Sequence, residues 1–129
     1  MYNEVINLAK KARLNAHSPY NKFTVGAALK TKNGKVYLGC NIDNYGIQSI
    51  CAERVAFIKA ISEGEKEFES ITIVGAKLDE ESKGCLPCGY CRQFMSEFVN
   101  NDFKIFTLDN NNNIKEYTLK ELLPYNFKL

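Results

Sequence analysis

Cys51-Ala52-Glu53, answered further along by Pro87-Cys88-Gly89-Tyr90-Cys91, supplies three thiols and one carboxylate whose types and spacing could do chemistry. Three cysteinates occupy three positions of tetrahedral Zn²⁺ and leave the fourth to water, the arrangement of a catalytic rather than a structural site. A carboxylate two residues from a ligand can move protons on and off that water. Glu53 is that carboxylate, and a closed structural site has no use for it. Arg54, beside it, could hydrogen-bond a ligand sulfur and offset part of the negative charge that three thiolates leave on the metal.

The same cysteines allow other readings. Cys88-x-x-Cys91 alone also serves dithiol exchangers and structural zinc sites. In an exchanger, however, Cys51-Ala52-Glu53 has no job. Cys85, Cys88 and Cys91 stand three apart, like the start of an iron–sulfur ligand run, but the next ligand would fall on Met95. A structural zinc held by Cys51, Cys85, Cys88 and Cys91 is the better rival, and it leaves Glu53 without a role. Cys40 and Cys85 otherwise read as a buried thiol and a loop residue. His17, the sole histidine, has no partner at ligand spacing and reads as structural.

Elements able to position this set follow from periodicity. Val5, Ile6, Leu8, Ala9, Ala12 and Leu14 repeat at helical spacing and stop before Ser18-Pro19. Phe23 to Leu29 and Val36 to Leu38 are apolar runs separated by Asn33-Gly34, a hairpin signal. Residues 51–62 predict a second helix, buried on more than one side, that closes at Gly64. Ile71 to Ala76 reads as a covered central strand and Asp79 to Lys83 as a loop. A third helix follows over residues 91–99, then strands at Lys104 to Leu108 and Ile114 to Thr118, and a short helix at Leu119 to Leu123. The alternation predicts an α/β fold with a mixed sheet of about five strands and helices on its faces. Cys51 opens the second helix and Cys88 and Cys91 straddle the start of the third, so two helix N-termini would converge on the metal.

The bulk numbers bound the rest. A chain of 129 residues, 45% hydrophobic and 25% charged, is the size of one domain, expected to span 1–129. A formal charge of +2 gives no field suited to a polyanion, so nucleic acid is not an expected partner. No apolar run approaches a membrane span, and crowded cysteines suit a reducing compartment. The expectation is a soluble, cytoplasmic protein.

Further segments carry a resemblance. Pro19-Tyr20, Phe23-Thr24-Val25-Gly26-Ala27-Ala28, Gly39-Cys40-Asn41-Ile42-Asp43-Asn44, Cys51-Ala52-Glu53-Arg54, Ala60-Ile61-Ser62-Glu63-Gly64, Pro87-Cys88-Gly89-Tyr90-Cys91-Arg92-Gln93 and Leu122-Leu123-Pro124 occur in this order. Over essentially its whole length the chain resembles the small zinc-dependent cytidine deaminases, whose site combines a non-ligand Glu with a Pro-Cys-x-x-Cys pair. The resemblance implies a three-layer α/β/α sandwich. It also implies a homotetramer with shared active sites and hydrolytic deamination of cytidine and 2′-deoxycytidine in pyrimidine salvage.

It assigns roles as well. Cys51, Cys88 and Cys91 match the ligands of one Zn²⁺ per subunit, and Glu53 matches the proton shuttle. Phe23 matches a ring packed on the nucleoside. Asn41 and Asp43 match the pair that holds the ribose, Ala52 belongs with the substrate contacts, and Phe127 corresponds to an aromatic that reaches a neighbour's pyrimidine. Without the resemblance, Phe23 reads as core, Asn41-x-Asp43-Asn44 as a polar turn, and Phe127 as a packing anchor.

Two departures stand out. The family usually has Glu where Asp43 stands, and its segment from Asn41 to Cys51 is about one residue longer. The related blasticidin S deaminases have an even shorter, different segment that lacks the acid two after Asn. This chain keeps Asn41-x-Asp43-Asn44 and Arg54 and so leans to cytidine, with a modified cytosine nucleoside as the alternative substrate. A non-catalytic zinc-binding module is the reading from another class, and the spare Glu53 speaks against it.

Overall fold

The structure, a computed structural model, describes residues 2–129. Along the chain it forms α1 (Tyr2–Arg13), β1 (Phe23–Thr31), β2 (Val36–Cys40), α2 (Ala52–Ser62), β3 (Phe68–Lys77), β4 (Lys83–Gly84), α3 (Gly89–Phe98), β5 (Lys104–Leu108), β6 (Ile114–Thr118) and α4 (Leu119–Leu122). Gly34, at φ +91°, makes the β1–β2 turn that Asn33-Gly34 predicts. Gly64, at φ +96°, lies just past the end of α2 and donates to the Ile61 carbonyl at 3.0 Å.

The sheet runs β2-β1-β3-β5-β6, with β4 also paired to β3. β1 is antiparallel to β2 and to β3, β5 is parallel to β3, and β6 is antiparallel to β5. One edge of β3 is divided: Ser70 to Thr72 pair with β5, whereas Val74 and Gly75 pair with Gly84 and Lys83 of β4. The chain leaving β4 therefore starts beside the end of β3 and leads directly into Cys85-Leu86-Pro87-Cys88.

Strand alternation sorts the sheet's side chains between two layers. Ala28, Val74 and Leu108 meet Ile6 and Ala9 of α1 on one face. On the other, Ala27, Leu29, Ile71, Ile73 and Ile105 pack with Ala56, Phe57 and Ala60 of α2 and with Cys91 and Met95 of α3. Phe57 anchors this second layer, its ring 5.1 Å from that of Phe68 and 6.2 Å from that of Phe94. Burying such a side chain contributes about 1.5–3 kcal/mol. The result is the expected α/β/α sandwich.

α2 lies directly on β2. A Cβ at Gly39 would sit 2.3 Å from the Ala52 carbonyl oxygen and 2.6 Å from the Ala56 nitrogen, so only glycine allows the approach. The first turn of α2, which follows Cys51, is fixed in this way against the sheet.

Three expectations need correction. The six strands agree with the expected count of about five, but Lys83, expected to end a loop, instead opens β4 with Gly84 and pairs with β3. Leu14 lies beyond the end of α1 and is 76% exposed, since the chain turns after Arg13. Within one chain α2 buries the single face of Ala52, Glu53, Ala56, Phe57 and Ala60 while Ile58 stays exposed, rather than being buried on more than one side.

Candidate active site

Cys51 is the N-cap of α2, in extended conformation, and its thiol makes no cap hydrogen bond. Cys88 is the N-cap of α3, and its sulfur accepts from the Cys91 backbone N–H at 3.4 Å. Arg92 holds the turn before α3, donating from Nε to the Pro87 carbonyl and from Nη1 to the Leu122 carbonyl, each at 2.8 Å. Cys91, in the first turn of α3, is fully buried. Two helix starts therefore aim their free N–H groups and positive dipole ends at one place, as the sequence predicts.

The sulfurs of Cys51, Cys88 and Cys91 all lie within 4.8 Å of one another, with Cys51 and Cys88 at 3.7 Å. Zn–S bonds of about 2.3 Å in tetrahedral geometry place sulfurs roughly 3.8 Å apart, so this donor set fits zinc. Without an ion the protons are shared unevenly among these thiols. The hydrogen bond from Cys91, aided by Arg54 and Cys88 and opposed by burial, brings Cys51 down to about 5. The same bond, together with burial and the charge of Glu53, pushes Cys91 up. Arg54 donates from Nη2 to the Cys51 sulfur at 3.7 Å.

Glu53 is 3% exposed. Burial raises it from 4.5 to about 7; the Cys51 charge adds to this, while its own backbone N–H and Arg54 act against it. A carboxyl poised near neutrality can both take and return a proton.

These groups form the end of a cleft of about 280 Å³ lined also by Phe23, Asn41, Asp43 and Ala52. That is close to the lower end of the range for small-molecule sites, about 300–1,000 Å³. Phe23 is 40% exposed and lines the cleft rather than joining the core. Asn41 accepts at Oδ1 from the Val25 N–H at 2.8 Å and donates from Nδ2 to the Phe23 carbonyl at 2.9 Å, leaving one amide hydrogen for a ligand. Asp43 accepts from the Ser18 hydroxyl at 2.8 Å. Ile42 and Ile50 exchange backbone hydrogen bonds, both 2.9 Å, and this closed loop base brings Asn41 and Asp43 beside Cys51.

Phe127 is the predicted site residue that the chain does not bring in. It is 68% exposed and lines a separate groove with Gln93 and Phe94, where Gln93 Nε2 donates to its carbonyl at 3.0 Å. Sequence reasoning missed others. Ser18 beside Asp43 had no motif to mark it. Cys85 lines the cleft although it lies outside the three-sulfur cluster, and burial, helped by Glu53, Cys51 and Cys88, pushes its thiol up to about 12. The pairing of β4 with β3 and the bond from the Cys85 N–H to the Thr107 hydroxyl at 2.8 Å hold this loop segment beside the site.

A family model of the cytidine and deoxycytidylate deaminase zinc-binding region matches residues 1–107. The chain belongs to this deaminase family. Among its relatives, a cytidine deaminase of Sporosarcina psychrophila is 41% identical over 94% of this chain and 87% of its own length. A blasticidin-S deaminase of Bacillus cereus is 32% identical over 83% of this chain and 79% of its own length. The crystal structure of a cytidine deaminase from Burkholderia pseudomallei superposes with a TM-score of 0.87 at 37% identity, covering 98% of this chain and 99% of that one. In this chain the cleft lies at the N-termini of α2 and α3, where Cys51 and Cys88 stand.

Proposed function

We propose that this chain is a zinc-dependent aminohydrolase that converts cytidine and 2′-deoxycytidine, with water, to uridine and 2′-deoxyuridine and ammonia, as in pyrimidine salvage. The observation that carries the reading is Glu53, a buried carboxyl raised to about 7, beside three clustered sulfurs at the end of a nucleoside-sized cleft. Membership of the deaminase family and relatives named cytidine deaminase at about 40% identity support it.

Cys51, Cys88 and Cys91 would hold one Zn²⁺. When bound, zinc supplies the Lewis acidity that makes water a nucleophile near neutral pH. Glu53 accepts the proton of the water that attacks the amino-bearing ring carbon, then delivers protons to the adjacent ring nitrogen and to the departing amino group. A carboxyl of ordinary acidity would be a poor donor for those later steps. Arg54 offsets the negative charge of the thiolates. Phe23 packs on the pyrimidine and Ala52 lines the same pocket. The free amide hydrogen of Asn41 and the carboxylate of Asp43 hold the ribose hydroxyls.

The chain works as a homotetramer in this reading, with Phe127 entering a neighbour's site; its exposure, and that of Ile58, supports this. Residues 1–129 are read as one domain. No helix among the described residues is long and apolar enough to cross a membrane, and all five cysteines are free thiols, which suits a cytoplasmic location. A modified nucleoside is the second reading, favoured by the short Asn41 to Cys51 segment and the blasticidin-S deaminase relative.

A spectrophotometric panel of cytidine, deoxycytidine, free cytosine and blasticidin S with the zinc-loaded protein tests the proposal. Turnover of both nucleosides is expected. Turnover of blasticidin S alone would replace the substrate assignment, and turnover of none would overturn the activity.

A further inference from the structure

We propose that Tyr90 is a positioning residue of the metal site, acting through Arg54. The inference rests on reading Cys51, Cys88 and Cys91 as the zinc ligands. Tyr90 stands between Cys88 and Cys91 in the first turn of α3, and its side chain is 66% exposed, so it contributes little to the core. Its ring nevertheless has a defined partner: the Arg54 guanidinium carbon lies 4.2 Å from the ring centroid, within cation–π range.

The guanidinium's other partners are sulfurs. It donates from Nη2 to the Cys51 sulfur at 3.7 Å and also interacts with the Cys91 thiol, while its Nε is buried without a partner. Sulfur is a weak acceptor, and a buried donor left unpaired disfavours this placement. A long, flexible arginine needs something else to keep it over the sulfurs. The face of Tyr90 provides that surface, since guanidinium groups stack on aromatic rings. The contact also spans the site: the helix that supplies Cys88 and Cys91 clamps the cation of the helix that follows Cys51. The ring face, and not the hydroxyl, does this.

Zinc retention against a chromophoric chelator, with zinc content measured beforehand, tests the inference without reference to turnover. Tyr90→Phe keeps the ring and should retain zinc as the wild type does. Tyr90→Leu keeps apolar bulk without a π face and should lose zinc about two- to five-fold more readily, the size of an exposed cation–π contact. Arg54→Gln should weaken retention by about tenfold or more. Adding Tyr90→Leu to that variant should change nothing further, a result a merely structural Tyr90 would not give.

Wild-type retention in Tyr90→Leu, or an undiminished effect in the Arg54→Gln background, would overturn the inference while leaving the zinc site intact. Tyr90→Phe behaving like Tyr90→Leu would overturn the role of the ring face. A wild-type chain that holds no stoichiometric zinc would overturn the metal-site reading and this inference with it.

Discussion

Asn41 secures the backbone of Phe23: its Nδ2 donates to the Phe23 carbonyl at 2.9 Å while its Oδ1 accepts from the Val25 N–H at 2.8 Å. One side chain thus continues the edge of β1 in place of a backbone partner and fixes the strand that presents Phe23 to the cleft. Asn41→Ala removes both bonds and leaves a Val25 donor unpaired. It should destabilise the fold by about 1–3 kcal/mol in urea unfolding, and KM for cytidine should rise. A rise in KM with unchanged stability would show that the bonds to β1 contribute nothing to the fold.

Glu53, proposed as the proton shuttle, also bears on stability. Glu53→Gln should keep fold and zinc but lower kcat by about 10²–10⁴, the range for a general acid–base. The same substitution changes the pH dependence of the zinc-free, reduced protein. Because the fold raises this carboxyl from 4.5 to about 7, its neutral form is the favoured one. The associated stability is complete below pH 4.5 and is lost as pH rises through 7. Urea unfolding of the wild type should therefore fall by about 3 kcal/mol relative to Glu53→Gln over that interval. Parallel profiles for the two proteins would refute the burial effect.

The number of ligands separates catalytic from structural zinc. Cys88→Ala should abolish stoichiometric zinc measured by atomic emission, and with it activity. Cys85→Ala should leave zinc content unchanged, because Cys85 lies in the cleft wall outside the three-sulfur cluster. Loss of zinc from Cys85→Ala would favour a closed four-cysteine site.

Gly39 sets the height of α2 above the sheet. In Gly39→Ala the new Cβ would meet the Ala52 carbonyl oxygen at 2.3 Å, so helix and strand must separate. The cost is about 1–3 kcal/mol. Since Ala52 follows Cys51, zinc retention should fall with it, which thermal unfolding and chelator competition would both detect. An unshifted melting temperature would mean that the helix moves freely.

By itself, the sequence determined the elements and the chemistry. Apolar periodicity marked the strands at Lys104 to Leu108 and Ile114 to Thr118, and Asn33-Gly34 marked the hairpin, because these signals act over a few neighbouring residues. Three cysteines with a spare glutamate pointed to a catalytic zinc of unspecified use, because ligand type and count are properties of composition and spacing; the hydrolytic deaminase reading came from the resemblance of the surrounding segments. What only the tertiary structure decided depends on contacts between distant segments. Two-residue β4 is too short for any periodicity, and its pairing with β3 helps hold Cys85 beside the cleft. The acidity of Glu53 follows from burial by the packed helix and sheet, which no local pattern states. The stacking of Arg54 on Tyr90 joins two helices, and it arises only once both cap the same group of sulfurs.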